Sequence, residues 1–146
     1  MNRIELLRWD VFENCEKWLR CADGLPKPPQ IGLGKSYETV WVQNFPLPNH
    51  YRPDYIDLAL IVKAYPLDPP KGIYLLSSAT SRDLITSFKK RFNVFRDRAF
   101  HNAPSVDGYE WICFGYLSGW RYNARAPHKG DNLGKLMRNL WHELES

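Results

Sequence analysis

Covalent chemistry in this chain would centre on Cys113. It stands in the run Gly108-Tyr109-Glu110-Trp111-Ile112-Cys113-Phe114, with His101 and Asn102 before it and Trp120 after it. A thiol of ordinary pKa, about 8.5, is only a few per cent thiolate at neutral pH. That suffices for exchange with an already activated acyl group such as a thioester, which thiolates attack readily. A cysteine in an apolar run is equally the composition of an inert core, so its surroundings decide between the two. His101, Asp107 and Glu110 are the nearby groups able to take up a proton. Asp107, directly before Gly108, also has the composition of a turn. Trp111, Tyr116, Trp120 and Tyr122 crowd the same stretch, as a wall around a bound tail or as packing.

Other chemistries find less support. Gly32-Leu33-Gly34-Lys35-Ser36 imitates a phosphate loop, but the motif's earlier glycine position holds Pro29 and the following segment reads as extended. Cys15 and Cys21 have neither a CxxC partner nor a histidine pair at ligand spacing, so both read as structural thiols. No metal and no cofactor is expected. A GxGxxG run is missing, so the chain carries no visible means of activating a carboxylate with a nucleotide.

The elements that must position these groups follow from periodicity. Ile4, Leu7, Val11, Cys15, Trp18 and Ala22 predict a helix over 3–22, ended by Asp23-Gly24 and the prolines at 26, 28 and 29. Tyr37–Phe45 reads as a strand, with Tyr37, Thr39, Trp41 and Phe45 on one face and Val40 and Val42 on the other. In Tyr55–Tyr65, Ile56, Leu58, Leu60, Val62 and Ala64 alternate cleanly. Gly72–Leu76 is a third strand, after the turn Pro66–Pro70. Thr80 or Ser81 caps a helix with Leu84, Ile85, Phe88, Phe92 and Phe95 inward. Residues 101–127 read as an aromatic loop containing the apolar run Trp111–Leu117. Asp131 or Asn132 caps a last helix with Leu133, Leu136, Met137, Leu140, Trp141 and Leu144 as its stripe. This order predicts an α+β fold with an antiparallel sheet.

Composition bounds the rest. With 146 residues, 44% of them hydrophobic, the chain is expected to form a single domain over 1–146 with a sizeable core. No apolar run has the length of a membrane span, and Glu5, Arg8 and Asp10 interrupt any apolar leader core. An odd number of cysteines, 3, fits a reducing, cytoplasmic setting. The net charge of +4 is local: Arg82, Lys89, Lys90, Arg91, Arg96 and Arg98 face only Asp83 and Asp97, and charges elsewhere balance. Such a segment could dock an acidic partner or form a solvated helix face.

Taken in order, these motifs resemble the catalytic half of a ubiquitin-conjugating enzyme. Ala64-Tyr65-Pro66-Leu67-Asp68-Pro69-Pro70 is similar to the family's Tyr-Pro…Pro-Pro turn between strands. His101-Asn102-Ala103-Pro104 stands where the family has His-Pro-Asn, with the asparagine moved next to the histidine. Gly108…Ile112-Cys113 resembles the segment bearing the active cysteine, and Trp120 falls near the family's tryptophan. The 80–98 stretch resembles an inserted basic helix. The brevity of the chain is similar to short stand-alone bacterial members that accompany cyclic-oligonucleotide antiphage signalling systems (CBASS).

The resemblance implies a ubiquitin-conjugating-like fold: an antiparallel meander sheet, an N-terminal helix, the inserted basic helix and a C-terminal helix. It implies a transferase in which Cys113 forms a thioester with a partner's C-terminal tail, that of a cGAS-like nucleotidyltransferase, and passes it to an acceptor protein's lysine. Cys113, His101 and Asn102 would be catalytic, and Trp111, Tyr116 and Trp120 would bind substrate. Either a separate activating enzyme is a further partner, or the cysteine attacks the partner's C-terminal segment directly. Two rivals remain: a catalytically inactive binding module of this fold, and a nucleic-acid binder using the basic helix. The second is the weaker, because Phe88, Phe92 and Phe95 fall on the apolar side of that helix rather than among its basic residues.

Overall fold

A computed structural model of the chain describes residues 2–20, 27–48, 50–91 and 103–145. Asn2 caps the first helix, accepting the Glu5 N–H at 2.8 Å while its amide donates to the Glu5 carboxylate at 2.7 Å. Helix α1 (Arg3–Trp9) runs into a π-helical stretch (Asp10–Cys15) and continues as α2 (Glu16–Arg20). Leu7, Val11, Cys15 and Leu19 are all buried at four-residue steps. Such steps drift around an α-helix, and the wider π turn takes up the drift. The expected stripe is corrected at its start, since Ile4 is 44% exposed and Leu6 takes its place inside. Cys21 lies outside the described residues.

The sheet is a five-stranded antiparallel meander, β1 (Gln30–Leu33), β2 (Thr39–Pro46), β3 (Tyr55–Ile61), β4 (Ile73–Leu76) and β5 (Tyr109–Ile112), in that spatial order. The expected α+β class and antiparallel sheet are therefore present. β2 begins later than expected because Tyr37 (φ 55°) belongs to the β1–β2 turn, closed by the Gly34 N–H on the Thr39 carbonyl. It also changes face midway. Asn44 (φ 58°) forms a bulge, its N–H held by the Asp57 carboxylate at 2.8 Å. Phe45 consequently joins Val40 and Val42 in the core instead of siding with Thr39 and Trp41. Two strands were not expected. β1 occupies what reads as an irregular lead, and β5 lies inside the supposed aromatic loop.

One face of the sheet carries Val40, Val42, Leu58, Leu60, Ile73, Leu75 and Ile112 into a single core with the helices. Helix α3 (Arg82–Lys89) contributes Leu84, Ile85 and Phe88, while Arg82, Lys89 and Lys90 are exposed. Phe92, Phe95, Arg96 and Arg98 lie outside the described residues. Helix α4 (Leu133–Glu145) buries Leu133, Leu136, Met137, Leu140 and Leu144 as expected, with Trp141 half-buried. Asn132 is its cap, accepting the Lys135 N–H at 2.9 Å. Asp131 instead receives the Tyr116 hydroxyl and the Arg121 N–H. Among the described residues no helix is long and apolar enough to cross a membrane.

Candidate active site

Cys113 follows β5 directly, and the β4–β5 register fixes its setting. Ile73 pairs with Ile112 and Tyr74 with Trp111. Ile112 faces the core, so the pleat turns Trp111 and Cys113 to the opposite side of the sheet. Cys113 is 5% exposed there, outside the contiguous core. Continuing the register by one residue sets Gly72 opposite Cys113. Gly72 has φ 127°, and a Cβ on it would lie 2.2 Å from Trp111 Nε1. The Trp111 indole therefore covers the space that a side chain at position 72 would need.

Two indoles fasten this segment to the turn that follows β3. Trp111 Nε1 donates to the Lys71 carbonyl at 2.7 Å, and Trp120 Nε1 to the Pro66 carbonyl at 2.9 Å. Between them Gly115–Gly119 forms a short 3-10 helix. Tyr65 begins the same turn, and its hydroxyl donates to buried Asp10 at 2.7 Å. Its carbonyl accepts from Arg3 Nε at 2.9 Å. A third stretch arrives from elsewhere in the chain, because the Tyr74 hydroxyl donates to the Pro104 carbonyl. Pro104 thus sits beside the strand residue that pairs with Trp111.

The candidate residues separate on this geometry. Trp111 and Trp120 flank Cys113 and close the segment on the turn. The Tyr116 hydroxyl is committed to Asp131 at 2.6 Å, and burial, with that bond, pushes its phenol well above the ordinary value. Tyr122 is half-buried, and Asp107 is exposed in the turn before Gly108 (φ 80°). Glu110 is turned by the pleat to the α3 side, where it pairs with Lys89 at 2.7 Å, so it does not neighbour the thiol. His101 and Asn102 lie outside the described residues. Cys15 is fully buried beside Asp10, and burial, then that carboxylate, pushes its thiol well above the ordinary range, as suits a structural thiol. Among the described residues no group of His, Cys, Asp and Glu could hold a metal ion.

Asp10 was not singled out from the sequence. Fully buried, its carboxylate accepts from Tyr65, from Asn14 Nδ2 (2.8 Å) and from the N–H groups of Leu133 (2.7 Å) and Gly134 (3.2 Å). An acid between Trp9 and Val11 on an apolar helix was the available signal. Comparison with protein-family models, curated proteins and solved structures finds no match.

Proposed function

We propose that the chain is a ubiquitin-conjugating-like acyl carrier of the CBASS-associated type, in which Cys113 accepts the C-terminal tail of a cGAS-like nucleotidyltransferase and passes it to a lysine. The observation that carries this reading is the convergence of three separated motifs. The 65–71 turn is bonded to both flanks of Cys113, and Pro104 is tied to the strand beside it. The meander sheet, with a helix before it and one after it, supports a ubiquitin-conjugating-like fold.

In the first step the Cys113 thiolate attacks the tail's carbonyl, already activated by a separate enzyme as a thioester or acyl-adenylate. A carbon–sulfur bond forms and the activating group leaves. In the second, a lysine amine attacks that carbonyl, a carbon–nitrogen bond forms and the Cys113 thiolate departs. The amine's proton passes to a nearby base, for which His101 and Asp107 are the candidates. Backbone N–H groups and Asn102 would hold the oxyanion.

The burial of Cys113 favours a second reading, a binding module that performs no transfer, because buried thiols are ordinarily inert. Intact-mass measurement separates the two. With an activating enzyme, ATP and a nucleotidyltransferase bearing a glycine-ended tail, the expected product is a thiol-sensitive adduct. Cys113→Ser should convert it to a thiol-resistant ester. No adduct, or the same adduct on Cys113→Ala, would sink the acyl-carrier reading.

A further inference from the structure

Cys113 poses an access problem: it is 5% exposed, yet it lies outside the contiguous core. A core thiol is reached only when the whole domain unfolds. A thiol on the outer side of the sheet can be reached by moving a local segment. Phe114 and Leu117 seat the segment in the core, and the Tyr116 hydroxyl ties it to Asp131. What can move locally is the pair of indoles that bond it to the 66–72 turn. Both are N–H donors on carbonyl acceptors, Trp111 to Lys71 and Trp120 to Pro66. Both indoles are half-buried and Lys71 is exposed, so water can replace either bond at little cost. The intervening 3-10 helix begins and ends on Gly115 and Gly119, and a Cβ on Gly119 would meet nothing within 4 Å. Steric fit therefore does not demand a glycine at 119, where it leaves the backbone loose.

We infer that the Trp111 and Trp120 indoles form a latch that holds the Cys113 segment shut against the 66–72 turn and, on release, opens the thiol to an incoming tail. With the latch closed, the Trp111 ring lies over Gly72, the residue opposite Cys113. With it open, the Trp111 ring swings off Gly72 and the Trp120 indole leaves Pro66, while Phe114 and Leu117 stay in the core. A partner whose tail engages the turn carbonyls in place of the indoles would open the site as it binds. This use of the latch rests on the acyl-carrier reading; the gating of the thiol does not.

Thiol labelling tests the latch without any partner. Native protein and the variants Trp111→Phe and Trp120→Phe are treated with iodoacetamide, and each cysteine's rate is followed by peptide mass mapping. Each variant keeps a ring and loses one donor, so Cys113 should label about fivefold faster per bond removed, with Cys15 unchanged. An unchanged Cys113 rate overturns the proposal, as does a parallel rise at Cys15, which would mean general loosening. If a variant does not fold, the unmodified protein still answers. Exchange of the two indole N–H protons, read by NMR, should share one opening constant with Cys113 labelling and be faster than core amides. Indole exchange at the rate of global unfolding overturns the latch. Its failure leaves the adduct experiment standing, and absence of an adduct leaves the labelling result standing.

Discussion

At the residue scale the heaviest burden falls on Asp10. A carboxylate taken fully out of water is costly, and the structure meets that cost with four N–H and O–H donors, the weaker Cys15 thiol and the positive end of helix α4. Desolvation still outweighs those bonds and raises the Asp10 pKa above its ordinary 3.8. The sign of the pH effect follows. A carboxyl whose folded pKa is raised binds its proton more tightly in the folded state than in the unfolded one. Its contribution to stability is full below the unfolded value and is lost as pH rises through the folded one. Asp10→Asn, which does not titrate and turns one acceptor into a donor facing N–H groups, should cost about 3 kcal/mol at neutral pH. The native protein's lead should widen as pH falls from 7 toward 4, the region just above the ordinary carboxyl value. Urea denaturation of both proteins across that range measures it, and a lead that narrows toward acid would refute the assignment.

At the element scale, legibility in the sequence tracked whether a segment's determinants are its own. Helix α4 was fully readable, because a cap and an apolar stripe at helical spacing are local properties. β3 was readable from its clean alternation. β1 and β5 were not: each is four residues long, and each exists because a neighbouring strand supplies its hydrogen bonds. The face change in β2 was hidden because Asn44 takes a left-handed backbone that its side chain merely tolerates. The site divides the same way. Cys113 and the turn motif were legible as residue types, whereas the latch was not, because Lys71 and Pro66 contribute carbonyls that every residue has. The β1–β2 hairpin offers a direct test of one such hidden determinant. A Cβ on Gly32 would lie 2.1 Å from the Trp41 ring. Gly32→Ala should therefore destabilise by about 1–3 kcal/mol. In a Trp41→Leu background most of that loss should vanish, and a double-mutant cycle with no coupling would show that the contact does not matter.

At the scale of the whole molecule, the two ends of the chain are clasped to each other. Asp10 and Asn14 of the first helical run hold Leu133, Gly134 and Asn132 at the start of the last helix. The meander lies between these partners in sequence, so neither end can leave without exposing the core they share. This sets two tiers of motion, a rigid clasp between the first and last helices and the Trp111–Trp120 latch at the 66–72 turn. Hydrogen exchange distinguishes them. The first N–H groups of a helix have no partner within it and ordinarily exchange fast. Here the Leu133 and Gly134 amides donate to a fully buried carboxylate, and they should exchange only through global unfolding, alongside the amides of β3. The expected order is therefore inverted relative to an ordinary helix, with the start of α4 slower than its exposed end at Glu143 and Glu145. If Leu133 and Gly134 exchange as fast as that end, the clasp does not hold the ends together, and the opening of the two sides is not separate.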